Sequence, residues 1–140
     1  MTTIRRMPFR RVLLVPALLG LVASLGACAA QADIADPRKP EVLAERNRII
    51  GLLATDLGDS RTPAVCQVKV LRTQAATSWA HASCSVEADA QGVRPGWETF
   101  IRVDGDTVSY PQDGSAYESS LRALYPEDLA DWTFEHPKGL

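Results

Sequence analysis

The sequence predicts a small α+β domain with the element order α-β-β-β-β-α and one disulfide bond. Three observations indicate this fold class: a stretch of helical apolar spacing that begins at Pro40, two pairs of alternating apolar segments, and a second helical stripe that begins near Ser115. The four extended segments are expected to pair as one antiparallel meander sheet. Both helices are expected to cover the same face of that sheet.

The first residues have the order of a secretory signal. Four arginines precede Val12, and no charged residue occurs in the sixteen positions from Val12 to Ala27, which is a basic region followed by an apolar one. A membrane-spanning helix is the alternative, but a span needs about 20 apolar residues. This run is shorter and contains Pro16 and Gly20. Residues 1–27 are therefore predicted to be a cleaved signal peptide.

The end of this segment, Leu25-Gly26-Ala27-Cys28, resembles the lipobox of bacterial lipoproteins. There a branched apolar residue and two small residues precede an invariant cysteine. The resemblance implies that Cys28 is diacylated on sulfur, becomes the mature N-terminus and is then usually N-acylated. Each buried methylene contributes roughly 0.8 kcal/mol, so two or three chains hold a protein on a bilayer. Cys28 is accordingly predicted to be an anchor rather than a catalytic thiol.

The residue after the anchor bears on localisation. In lipoproteins of Gram-negative bacteria, an aspartate at this position tends to retain the protein at the inner membrane, and here the residue is Ala29. The resemblance therefore implies an outer-membrane lipoprotein that faces the periplasm, with the inner membrane and the cell surface as alternatives.

Cleavage of the signal changes the charge of the chain. The precursor has a formal net charge of −2, and the mature chain, with 11 basic and 17 acidic residues, has a net charge of −6. Nucleic acids and anionic lipid surfaces call for basic patches, so neither is an expected partner. The acidity suits a basic protein partner, and it equally suits an ordinary soluble surface.

The mature chain divides into three parts. Residues 28–39 have little to bury and are predicted to be a flexible tether. Residues 40–133 form one small domain, and residues 134–140 are predicted to be a tail.

The domain begins with the first predicted helix. Pro40 suits the first helical position and Glu41 the positive end of the helix dipole, while Gly58 suits the C-terminal stop. The apolar residues gather on one side of this helix, at Val42, Leu43, Ile49, Ile50, Leu53 and Leu57.

The first hairpin is predicted together with a disulfide. Cys66 and Cys84 are the two cysteines left in an exported chain, which favours a bond between them. A hairpin in which paired positions sum to 150 brings these cysteines opposite each other. The same register pairs Val68 with Ala82 and Val70 with Ala80 on one face, and Lys69 with His81 on the other.

The second hairpin is indicated by Asp104-Gly105, a two-residue turn signal. In that register Ile101 lies opposite Val108, and Val103 lies opposite Asp106.

The C-terminal helix is predicted from a capping box and a helical stripe. Ser115 and Glu118 match the capping box. Pro126 is expected to open a further short turn that carries Leu129 and Trp132. The apolar stripe comprises Tyr117, Leu121, Leu124 and Tyr125.

The residues do not predict catalysis, a metal or a cofactor. The two histidines, His81 and His136, have no nucleophile in a triad-like context, and the disulfide removes the thiols that zinc would use. The densest acidic patch could supply a carboxylate pair for glycoside hydrolysis, or it could simply complement a helix N-terminus. This patch comprises Glu127, Asp128, Asp131 and Glu135.

A binding surface is predicted on the mixed face of the sheet. Leu71 is expected opposite Trp79, with Lys69 and His81 beside them, and such an aromatic and aliphatic patch can be a binding hot spot. The alternative is that Trp79 only pairs with Leu71 or is covered by the C-terminal segment. Trp97 and Trp132 are expected in the core.

Taken together, these features predict a lipid-anchored, non-enzymatic binding or accessory protein of the cell envelope. It would bind the membrane through Cys28 and a protein partner through its domain, as an inhibitor, an immunity-type protein or an envelope-assembly factor. The alternative is a small cell-wall hydrolase, which would require Glu98, Glu118 or Glu127 to converge in a pocket.

Overall fold

The computed structural model describes residues 31–57, 64–86, 92 and 96–139. The predicted signal peptide, Cys28 and the helix stop at Gly58 lie outside the described residues. The elements are α1 (Pro40–Leu57), β1 (Val65–Gln74), β2 (Thr77–Ser85), β3 (Gly96–Asp104), β4 (Thr107–Ser109), a 3₁₀ turn (Gly114–Ala116), α2 (Tyr117–Leu124) and α3 (Glu127–Glu135). The predicted α+β class is confirmed.

The four strands form one antiparallel meander in the order β1-β2-β3-β4. At its open end the first hairpin has the predicted register, with Cys66 opposite Cys84 and Val68 opposite Ala82. The predicted disulfide is present, and the Cα atoms of its two cysteines are 4.1 Å apart. The bond and the alternation of the strands therefore agree on one register.

The predicted pairing of Leu71 with Trp79 is wrong, because β1 has a bulge between Val70 and Arg72. Trp79 lies opposite Arg72, and Leu71 is the extra residue. The closed end of the hairpin is a two-residue turn, with Gln74 opposite Thr77. This pairing is shifted by one residue relative to the pairing of Cys66 with Cys84. One extra residue in β1 reconciles the two ends.

The second hairpin turns one residue later than predicted. Val103 lies opposite Val108 and Asp104 opposite Thr107, so Asp106 belongs to the turn and not to a strand. Gly105 has a φ of 56°, which a glycine adopts without steric cost in the first central position of such a turn. This register places two valines opposite each other instead of a valine opposite an aspartate.

The helices cover both faces of the sheet, so the expectation of one covered face is wrong. The first core cluster joins α1 to one face through Ile49, Leu53, Val70, Ala80 and Ile101. The second core cluster joins the C-terminal helices to the other face, through Leu71, Trp79, Phe100, Leu121, Tyr125, Leu129 and Ala130. Neighbouring strand residues point to opposite faces and are apolar on both, which requires two covering layers.

The starts and ends of the C-terminal helices also differ from the prediction. Ser115 lies in the 3₁₀ turn, and α2 begins after Ala116 without a side-chain capping bond, so the capping box is not formed. The expected short turn after Pro126 is the nine-residue helix α3. Its last two residues, Phe134 and Glu135, come from the predicted tail.

Both chain ends pack against the domain where the structure describes them. Before α1, Ile34 packs against the second core cluster, and the Ala35 amide donates to the Leu71 carbonyl at 2.7 Å. The extra residue of a bulge lies outside the regular ladder, which leaves its carbonyl available. After α3, Gly139 is buried. Residues in both the predicted tether and the predicted tail, Ile34, Ala35 and Gly139 among them, therefore contact the domain.

Candidate functional site

The predicted binding patch is not an open surface. Leu71 is fully buried and Trp79 is 7% exposed, both within the second core cluster. The Trp79 indole Nε1 donates to the Leu124 carbonyl at 2.8 Å, which ties β2 to the end of α2. The alternative, that the C-terminal segment covers Trp79, is the arrangement observed.

The other two residues of the patch lie beneath the chain end. The Lys69 Nζ donates to the Gly139 carbonyl at 2.6 Å, and His81 is 8% exposed. The His81 Nε2 is 3.0 Å from Glu98 Oε1, but the N–H is not directed at that oxygen, so this contact is an ion-pair distance without hydrogen-bond geometry.

His81 is held neutral in this environment. Burial lowers the pKa of His81 from its ordinary value of 6.5, and the nearby Lys69 lowers it further, while Glu98 acts in the opposite direction. A buried neutral imidazole under a chain end has no free path to a substrate. We therefore assign His81 a structural place, and not the place on an exposed binding surface that the sequence predicted.

An aromatic stack lies beside Lys69. The rings of Trp132 and His136 are stacked at a centroid distance of 4.3 Å, and the Lys69 ammonium lies 5.6 Å from the Trp132 ring centroid. Trp132 is half-buried against the second core cluster, and Trp97 is half-buried against the first. Both tryptophans thus contribute to the core, as expected.

A wide concave surface lies next to this stack, between α2, α3 and the residues that precede α1. This acidic groove has a volume of about 1180 Å³, and Gln31 and Ala32 form part of its rim. Two aromatic residues line it, Trp132 and the exposed Phe134. Its acidic lining residues are Glu118, Glu127, Asp128, Asp131 and Glu135.

One arginine organises the middle of the acidic groove. The Arg122 Nε is 3.3 Å from Glu118 Oε1, and its Nη1 donates to Asp131 Oδ1 at 2.8 Å. The guanidinium also lies 4.9 Å from the ring centroid of Phe134. Arg122 therefore joins α2 to α3 and makes a cation–π contact with the exposed aromatic ring.

A second arginine fixes Asp128 at the edge of the acidic groove. Both guanidinium ends of Arg72 contact the Asp128 carboxylate, one of them at 3.1 Å, and this pairing lowers the pKa of Asp128. Glu127 and Glu135 have no ion-pair partner among the residues that the structure describes. The lining thus has an excess of negative charge that these two carboxylates present to solvent.

The sequence pointed to these carboxylates but not to the groove. It grouped four of them as an acidic patch on the last helical segment, and Glu118 as a separate candidate for hydrolysis. Glu118 and Glu127 do line one groove, whereas Glu98 lies beside His81 on β3. The exposed Phe134 was missed because it was assigned to the tail; its place within α3 is the signal that could have found it.

Two further findings concern metals and membranes. Within residues 31–57, 64–86 and 96–139, no group of three or more histidine, cysteine or acidic side chains could hold a metal ion. No helix in the described part of the chain is long and apolar enough to cross a membrane.

Comparison with known proteins gave no match: no protein family, no curated protein and no solved structure is significantly similar to this chain.

Proposed function

We propose that this protein is a lipid-anchored, non-enzymatic binding or accessory protein on the periplasmic side of the outer membrane. Its anchor is Cys28, and its partner is a protein that places a basic segment in the acidic groove. The observation that carries the proposal is the groove itself, whose lining has five carboxylates and one arginine around the exposed Phe134.

Charge and shape both favour a basic protein segment as the occupant. The excess carboxylates of the groove attract cationic groups and raise the association rate with a basic partner. Phe134 offers apolar contact beside those carboxylates, and the guanidinium of Arg122 lies over its ring at 4.9 Å. An exposed aromatic side chain in a concave surface is a candidate anchor for such a segment.

Hydrolysis by paired carboxyl groups is less well supported by these contacts. Such a mechanism needs one carboxyl group that its environment keeps protonated. Glu118 and Glu127 are both exposed to solvent, and Glu118 is paired with Arg122. Neither residue is enclosed by apolar side chains that exclude water.

Partner capture from native envelope with a charge-matched control tests this proposal. The groove variant is Glu127→Gln/Glu135→Gln, and the control is Glu41→Gln/Asp113→Asn, which removes two exposed carboxylates outside the groove lining. We expect a basic protein that is retained by the mature protein and the control, is released by salt, and is lost with the groove variant. Equal retention by both variants, or cleavage of cell-wall fragments by the mature protein, would contradict the proposal.

A further inference from the structure

Residues 31–36, which precede α1, are attached to the domain. We call them the leading segment. Besides the bond from Ala35 to Leu71, the Arg72 Nε donates to the Asp33 carbonyl at 3.4 Å. Ala32 and Ile34 pack against the second core cluster. The first described residues are thus attached to the same layer that forms the acidic groove.

The leading segment also forms part of the groove. Gln31 and Ala32 line it together with residues of α2 and α3. Cys28 precedes Gln31 by three residues in the sequence. A chain spans at most about 3.6 Å per residue, so the Cα atom of Cys28 lies within about 11 Å of that of Gln31.

We infer that the acidic groove is held at the membrane surface, and that its occupant is a basic segment next to the membrane in another membrane-attached protein. This inference rests on the proposed function, because it takes the acyl anchor at Cys28 from it. An anchor whose Cα atom is at most about 11 Å from that of Gln31 leaves the groove little freedom to move away from the headgroups. A twelve-residue flexible tether would have allowed that freedom, but Ala32, Ile34 and Ala35 of that stretch are attached to the domain.

The charge of the groove excludes the bilayer itself as the occupant. Anionic headgroups are repelled by the unpaired carboxylates of Glu127 and Glu135. Basic segments next to a membrane are attracted to anionic surfaces, and the groove offers them carboxylates at the same height. Anchorage of both proteins on one surface raises their effective concentration, so weak contacts within the groove suffice for binding.

The orientation is tested on the full mature protein in vesicles of neutral phosphatidylcholine. Glu135→Cys places a fluorophore in the groove, and Asn47→Cys places one on the exposed side of α1, across the sheet. With a nitroxide on the lipid headgroups, we expect strong quenching at position 135 and weak quenching at position 47. An insert of about 20 Gly/Ser residues before Gln31, with a mean reach of roughly 25 Å, should equalise the two.

The outcomes separate the two proposals. Equal quenching at both positions in acylated protein of native length would overturn the inference and leave the proposed function standing. A mass spectrum of Cys28 without acyl chains would remove the anchor, and both proposals would fall with it.

The occupant is tested with a lysine-rich peptide, either free or conjugated to a phospholipid, on vesicles of neutral phosphatidylcholine. We expect the lipid-linked peptide to bind the acylated protein at least about tenfold more tightly than the free peptide. The Glu127→Gln/Glu135→Gln variant should lose this binding, and Glu41→Gln/Asp113→Asn should keep it. Equal affinity for the free and the linked peptide, or equal binding by both variants, would overturn the inference.

Discussion

Gly139 lies directly against the imidazole of His81. A Cβ atom on Gly139 would come within 2.5 Å of His81 Cγ, and the φ of Gly139 is +66°. The neighbouring Lys69 holds this position through its bond to the Gly139 carbonyl. Gly139 therefore packs closely against β2 because it has no side chain.

Gly139→Ala should destabilise the protein. The new methyl group would meet the side chain of a strand residue that cannot move without shifting β2, and overpacking of this kind costs about 1–3 kcal/mol. The matched control is Gly51→Ala in α1, where nothing lies within 4 Å of the added Cβ and alanine should stabilise the helix by about 0.5–1 kcal/mol. Urea denaturation would measure both changes, and the same sign for both would contradict the contact.

His81 should make the stability depend on pH below neutrality. Because burial lowers the pKa of His81, the unfolded chain binds this proton first, and stability falls as the pH drops below about 6.5. The contribution is complete above that pH, and its slope is at most about 1.4 kcal/mol per pH unit. His81→Leu removes the titrating group, so its unfolding free energy should change less between pH 7 and pH 5. If the unfolding free energies of the native protein and of His81→Leu depended on pH in the same way, His81 would not be the origin of the pH dependence.

Tyr125→Phe should lower the free energy of unfolding by more than the loss of an exposed tyrosine hydroxyl group does. The buried Tyr125 hydroxyl lies 2.7 Å from the Ile101 carbonyl and 3.0 Å from the Ala80 carbonyl, and burial raises the pKa of Tyr125, so the proton is retained. Its loss should destabilise the fold by about 1–2 kcal/mol. Tyr110→Phe, which removes an exposed bond to Asp56, should stay within about 0.5 kcal/mol. Equal losses in thermal unfolding would refute the difference.

Trp79→Ala should act on the fold rather than on binding. Trp79 fills the second core cluster, so its truncation should cost about 3–5 kcal/mol. Phe134→Ala, at an exposed position in the acidic groove, should change stability by less than about 0.5 kcal/mol. Denaturant unfolding separates the two; a stable Trp79→Ala protein would mean that α2 and α3 do not cover the sheet.

The disulfide should contribute substantially to stability. The bond between Cys66 and Cys84 closes a loop with a sequence separation of 18, and cross-linking such a loop removes roughly 3 kcal/mol of chain entropy from the unfolded state. Cys66→Ala/Cys84→Ala should lose about that amount. Reduction of the native protein should lower its urea midpoint similarly, and an unchanged midpoint after reduction would contradict this contribution.

Elements set by local patterns were predictable from the sequence. Helix α1 follows from its apolar spacing and its start at Pro40, and the register near Cys66 and Cys84 follows from the alternation of the strands and a covalent bond with one possible pairing. The bulge at Leu71 was not predictable, because it depends on matching the turn at one end of the hairpin to the disulfide at the other.

By itself the sequence determined the order of the elements, the meander and the disulfide, since each depends on neighbours along the chain or on a covalent link. Only the tertiary structure decided which helices cover which face, and hence that Leu71 and Trp79 are core. It also decided that Arg122 and Phe134 meet beside the leading segment to form the acidic groove. Strands with apolar residues on both faces do not specify which helix covers each face. That choice depends on packing between segments distant in sequence, which periodicity does not encode.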